Sequence, residues 1–233
     1  TLILIDGQSL SGEIASPYEL NRIPASMIER IEIVKGSMST LYGSDAIGGV
    51  INIITKKVDK NNSTLDVKYG QNGHGEAKEK NVNFTTAGKK EDIKYKLFGS
   101  IIDTSSYPQN GINGTNKVTF GDDSNVKNIG TRIEKDLNDS VTLGVDLNYL
   151  DENREGTYIG SAQYAGGGLI KNTPVNSEDN NRRFDVSSDL KYQINDDLSG
   201  QTKVYRSYYK KRNETTPITF AGPVSTKFSA NVT

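Results

Sequence analysis

From Leu65 onward the chain alternates apolar with polar side chains, and the links between these runs alternate between short and long. Together these two features constrain the fold more than any motif does. In Ile93 to Ile102, residues Ile93, Tyr95, Leu97 and Ile101 fall on one side while Lys94, Lys96 and Ser100 fall on the other. In Val141 to Asn153, residues Val141, Leu143, Val145, Leu147 and Tyr149 oppose Thr142, Asp146 and Asn148. A period of two belongs to strands, whose successive side chains point to opposite faces. The spacing predicts strands over Leu65 to Gly70, Asn81 to Ala87, Ile93 to Ile102, Val126 to Asp136, Val141 to Asn153, Arg183 to Gln193 and Leu198 to Lys210. Gly88 to Asp92, Leu137 to Asp139 and Asn195 to Asp197 are short, turn-like links, whereas 71–80, 104–125 and 154–181 are long and rich in Gly, Asn, Ser and Asp.

In a sheet of sequential antiparallel strands every second connection lies at the same end. All the short turns therefore gather at one end and all the long loops at the other, as in an outer-membrane barrel. A lysine facing lipid near the midplane costs about 2 to 4 kcal/mol, so in such a barrel the aliphatic rows look outward and the charged rows inward. Hydrophobic content is only 33%, and no apolar run approaches the length of a membrane helix. Barrel strands average their two faces and look polar in this way. Tyr149, Tyr192, Tyr208 and Tyr209 near strand ends are candidates for an aromatic girdle. The last strand fits least: Arg206 shares parity with Val204 and Tyr208, which points to a bulge, a slipped register or emergence above the membrane. A soluble β-sandwich adhesin would show the same alternation, with its aliphatic rows turned toward one another.

Upstream, Ile23 to Lys57 has a different texture. Ile23-Pro24 favours an extended residue followed by a helix start, predicting a turn of helix over Ala25 to Glu29. Arg30 to Lys35 alternates and is β-branched, a strand ended by Gly36. Ser37 suits the N-cap of a second short helix, Met38 to Tyr42, stopped by Gly43. Gly48-Gly49 marks a tight turn or close approach before a strand over Val50 to Thr55. Leu2 to Ile5 is a short apolar strand closed by Asp6-Gly7. The glycines do not form a phosphate loop: the run from Gly36 to Gly43 lacks the Gly-Lys-Ser/Thr ending, and no G-x-G-x-x-G occurs here.

Ile28 to Gly36, IERIEIVKG, and Leu41 to Thr55, LYGSDAIGGVINIIT, resemble the end of the plug domain of TonB-dependent outer-membrane receptors, and Leu2 to Gly7 is similar to an earlier plug strand. Ser37 stands where that family usually has proline. The signature rests on Arg30, Gly36, Tyr42, Gly43, Gly48 and Gly49. Within the family, the colicin I receptor type of catecholate siderophore receptor is the nearest resemblance. The resemblance implies a mainly β fold: an antiparallel transmembrane β-barrel of the 22-stranded class, about seven strands of it present, enclosing an α+β plug. It divides the chain into plug residues 1–57 and wall residues 58–233, and makes it an internal part of a longer protein in the outer membrane. It also implies energy-coupled import of an iron–siderophore complex, the TonB energy-transducing protein and outer-membrane lipid as partners, and colicin or phage as further ones. A cobalamin or haem receptor of the same family is the alternative, and a passive porin would lack the plug.

Candidate contacts follow from the same picture. Alternation sets Arg30 and Glu32, with Glu29 beside them, on the face opposite Ile31 and Ile33. If a barrel surrounds the plug, these groups meet its polar wall, where arginine suits bidentate pairing with carboxylates. Tyr18 in a plug loop and Arg154, Tyr158 and Tyr164 in the longest wall loop are candidates for the chelate, because aromatic and cationic groups suit anionic aromatic ligands. No cofactor, resident metal or catalytic residue is expected. Cysteine is absent, His74 is alone in a glycine-rich loop, and the Asp122-Asp123 and Asp196-Asp197 pairs fall where turns favour Asp. A net charge of −1 gives no basic footprint for nucleic acid.

Overall fold

The computed structural model describes residues 2–9, 23, 27–36, 46–56, 61–71, 77–110, 117–163, 169–217 and 226–232. Tyr18, Tyr42, Gly43, Tyr164, His74 and the helix expected over Met38 to Tyr42 lie outside them. Strands β1 (Leu2–Ile5), β2 (Gln8–Ser9), β3 (Ile28–Val34) and β4 (Val50–Thr55) form a mixed sheet in the order β2-β1-β4-β3. Asp6 and Gly7, at φ 48° and 77°, make the two-residue turn with positive φ at both positions that links β1 to antiparallel β2. The Asp6 carboxylate accepts from Thr55 N at 2.9 Å and Thr55 Oγ1 at 2.8 Å, fixing that turn to the end of β4. Leu4, Ala46 and Val50 pack as the core of this sheet.

β3 begins earlier than the sequence suggests. Ile28 and Glu29, expected in a helical turn, are strand residues: Ile28 pairs with Thr55, and Lys56 N donates to Met27 O at 2.9 Å. A single turn of helix cannot sustain itself, whereas a ladder already formed at Ile31 and Ile33 extends at little cost. At the far end Gly36 has φ 100° and Gly49 φ 101°. A Cβ on Gly49 would stand 2.5 Å from Val34 O, so the close approach expected at Gly48-Gly49 is real at its second glycine.

The larger sheet is antiparallel throughout. Its strands are β5 (Asn62–Gln71), β6 (Lys78–Lys90), β7 (Ile93–Thr104), β10 (Asp123–Asn138), β11 (Val141–Gln163), β12 (Leu169–Asn195), β13 (Leu198–Pro217) and β14 (Thr226–Val232), in sequential order. The hairpin β8 (Tyr107–Asn110) and β9 (Lys117–Phe120) lies within the link between β7 and β10. Each of the seven expected strands is present and longer than expected. The short links shrink to the turns Glu91-Asp92, Asp139-Ser140 and Asp196-Asp197.

Two expectations fail here. Residues 154–181 are not an open loop: β11 and β12 stay paired as far as Gln163↔Leu169, with one irregularity near Gly160. Asn, Asp, Glu and Gly are poor strand formers, but a ladder started below by Val141 to Asn153 carries them upward. In β13 the pairing with β12 runs unbroken from Ser199 to Pro217, so neither a bulge nor a slip accounts for Arg206, which sits opposite Val186.

Candidate functional site

The two faces of the large sheet are inverted relative to a soluble protein. Leu65, Val67, Phe84, Leu97, Ile129, Leu147, Phe184, Leu190 and Val204 are exposed, while Lys96 (6%), Glu152 (0%) and Asp189 (2%) are buried on the opposite face. A sandwich core would put the aliphatic rows inside, and this sheet does the reverse. Tyr149 and Tyr208 are on the apolar face, but Tyr209, one residue further, is buried on the charged one.

Two ionic clusters organise the charged face. Toward the short turns, Arg132 donates to Glu134 on its own strand at 2.7 Å, to Asp146 of β11 at 2.5 Å and to Asp189 of β12 at 2.9 Å. Lys191 donates to Glu134 at 2.8 Å, Ser187 to Asp146 at 3.0 Å and Gln201 to Asp189 at 3.1 Å, so each carboxylate has further support. Toward the long loops, Tyr209 donates to Asn181 at 3.1 Å, and Asn181 donates to Glu152 at 2.9 Å. Arg154 Nε closes that chain on Glu152 at 2.7 Å. Val126 and Leu150 are buried beside these groups. On the β6 side of the same face, Asn83 Oδ1, Thr85 Oγ1 and Ser100 Oγ are buried without a partner among the described residues, a surface with hydrogen-bonding capacity left for whatever faces it.

The small sheet touches this face where Lys96 Nζ donates to Lys56 O at 2.9 Å, just past β4. Lys96 therefore links the two sheets. Arg30 does not reach the wall among the described residues: its guanidinium bonds Glu32 at 2.9 Å and Glu29 at 3.0 Å, both from its own strand. The hydrogen bond to Glu32, helped by both negative charges, raises its already high pKa, so it is always a cation. Of the chelate candidates, Arg154 and Tyr158 share a face of β11, Arg154 buried in the Glu152 cluster and Tyr158 exposed. β9 is pinned beside them, since Thr119 Oγ1 accepts from Thr157 N at 2.8 Å and donates to Thr157 O at 3.3 Å. Glu152, Asn181 and Arg132 are not singled out by the sequence, and Tyr209 is, but as a girdle residue on the other face. Their signal was present in the period-two run Asn181-Arg183-Asp185-Ser187-Asp189, whose first member lay outside the expected strand. Among the described residues no three His, Cys, Asp or Glu side chains converge on a metal-sized site.

Residues 1–50 match the family described as TonB-dependent receptor plug domain. The chain belongs to the TonB-dependent outer-membrane receptor family. The iron-regulated outer membrane virulence protein of Vibrio cholerae is 30% identical over 225 residues, covering 92% of this chain and 32% of its own length. The probable TonB-dependent siderophore receptor PirA of Acinetobacter baumannii is 30% identical over 250 residues, covering 98% and 32% respectively. The chain thus spans about a third of the length of the curated relatives it matches. Among solved structures, a mutant of the ferric enterobactin receptor of Pseudomonas aeruginosa in complex with enterobactin superposes with a TM-score of 0.70 at 22% identity, covering 98% of this chain and 37% of that one. The copper transporter OprC superposes with a TM-score of 0.61 at 14% identity, covering 99% and 42%. The TonB-dependent receptor fold is therefore established for this chain, and its relatives, together with the apolar outer face, place it in the outer membrane.

Proposed function

We propose that the chain supplies part of the plug, residues 1–57, and the first wall strands, residues 58–233, of a receptor that imports an iron–siderophore complex using force delivered by the TonB protein. The observation that carries this reading is the inverted sheet next to a plug sequence. A wall apolar outside and ionic inside encloses an aqueous lumen, and a lumen wide enough for a chelate leaks unless something fills it. The relatives named as an iron-regulated protein and a siderophore receptor favour iron as the cargo over cobalamin or haem. The plug weighs against a passive porin.

On this reading the long β11–β12 hairpin and the β8–β9 hairpin stand on the outer side, and Arg154, Tyr158 and the Glu152 cluster line the approach to the plug. No covalent step is involved. The wall holds its own charges in place, so that a ligand or a moving plug meets a fixed pattern of donors and acceptors. Among the described residues β5 and β14 are sheet edges, and in hydrocarbon such edges require partner strands to close the barrel. The test is growth of an iron-starved deletion strain on single chelates with the intact gene restored. Rescue by one chelate class is expected; rescue by all of them, or by none, defeats a selective iron receptor.

A further inference from the structure

The exposed face of β12 and β13 carries a feature that chelate import does not use. Arg206 projects from the apolar face between Val204 and Tyr208, where a charge is costly. Its guanidinium lies over the Tyr208 ring, 4.9 Å from the centroid, and Tyr208 in turn stacks on Phe184 at 6.5 Å. The next outward pair toward the loops is Arg182 opposite Lys210. Like charges directly opposite each other across a ladder are destabilising. Among the described residues the one carboxylate at this level of the face is Asp151, which meets Arg182 at 3.3 Å and stands opposite Lys127 of β10. The next acids on the same face, Glu155, Glu178 and Glu214, stand in one row across β11, β12 and β13, four residues beyond Asp151, Arg182 and Lys210 and about 13 Å along the strand. Each is engaged: Asn176 donates to Glu155 at 3.1 Å, Asn180 to Glu178 at 3.0 Å and Arg212 to Glu214 at 3.2 Å.

We propose that Arg182, Arg206 and Lys210 form a docking site for the phosphate of a membrane lipid head group, with Tyr208 and Phe184 under its first acyl carbons. This site rests on the transmembrane reading above, since it is the apolar belt below the patch that brings phosphate to this depth. Charge complementarity chooses the occupant. An anion between Arg182 and Lys210 removes their repulsion, and a long cation leaning along an aromatic ring from the edge of an apolar belt reaches the head-group layer.

The test uses the intact receptor in detergent, titrated with phosphatidic acid or with phosphatidylcholine of the same acyl chains, with bound lipids counted by native mass spectrometry. The unaltered receptor is expected to prefer phosphatidic acid. The triple variant R182Q/R206Q/K210Q is expected to lose that preference roughly tenfold or more, each basic group near an anionic surface contributing about fivefold. K203Q, on the opposite face of β13, keeps it. Retained heat-modifiable migration on gels shows that a variant is folded; where the triple variant loses it, R206Q and K210Q singly are expected to give smaller losses of the same sign. Equal binding of the two lipids, an undiminished preference in the variants, or full displacement by inorganic phosphate at equal concentration overturns the lipid site. An unaltered receptor that stays soluble without detergent and binds neither lipid overturns the transmembrane reading instead, so the two failures are distinguishable.

Discussion

The tripeptide Arg-Ile-Glu occurs in both sheets, as Arg30-Ile31-Glu32 in β3 and as Arg132-Ile133-Glu134 in β10. In each the arginine binds the glutamate two residues on, and in each the isoleucine faces away, about half exposed. The likeness ends there. Among the described residues Arg30 finds no further acid than Glu29 beside it, and it keeps 53% of its side chain exposed. Arg132 keeps 26%, because neighbouring strands bring Asp146 and Asp189 onto it. Local sequence sets the rung, and register decides what the rung is for. On β3 the pair is surface charge; on β10 it is the centre of a wall.

The largest expected difference between the two sites comes from deleting the arginine of the wall. Arg132→Ala leaves Asp146, Glu134 and Asp189 close together without their shared cation. Breaking such a partly buried pair costs about 3 kcal/mol, read as a lowered urea midpoint for the receptor folded in bilayers. Adding Asp189→Asn to Arg132→Ala is expected to recover part of the loss, since one unpaired charge disappears with it. Strict additivity of the two substitutions would mean that Asp189 does not depend on Arg132, and the wall cluster would lose its standing as a unit.

The middle residues of the two tripeptides differ in their surroundings. Ile133 is on the apolar belt opposite Tyr95 and Val145, and Ile133→Arg is expected to cost about 2 kcal/mol, at the lower end of the range because the site lies toward the turn end of the belt. Ile31 is about half exposed on the small sheet, where no apolar belt surrounds it, and Ile31→Arg is expected to change stability by no more than about 0.5 kcal/mol. The readout is the heat-modifiable fraction after refolding into vesicles. Equal losses at the two positions would remove lipid as the solvent of the large sheet's apolar face.

What could be read in advance follows the same division. Ile93 to Ile102 and Val141 to Asn153 were legible because lipid enforces a clean alternation on one face, and the two-residue turns because Asp, Asn and Ser favour them. Residues 154–181 were misread because nothing in Asn153-Arg154-Glu155-Gly156 has strand propensity of its own; the ladder beneath supplies it. Tyr209 was placed in a girdle by its aromatic character, although parity with Ser207 and Lys211 already sent it inward. The Arg132–Asp189 contact spans 57 positions and two strand boundaries. Asp146 could be set on the charged face from sequence, but which cation it meets depends on register, and register is a property of the whole ladder.

The smallest expected effect belongs to Arg30→Ala. Both of its partners are on its own strand, all three side chains are well exposed, and ion pairs of that kind contribute no more than about 1 kcal/mol. Glu32 keeps the hydrogen bond it accepts from Asn52 at 3.2 Å, so the deletion does not leave it without a donor. Stability and chelate uptake are therefore expected to stay close to those of the unaltered receptor. The sequence had suggested a different role, a cation reaching across to carboxylates of the wall, and the same substitution separates the two. A loss near that of Arg132→Ala would mean that Arg30 meets the wall when the plug is seated, and the contrast between the two tripeptides would then describe two ends of one interface.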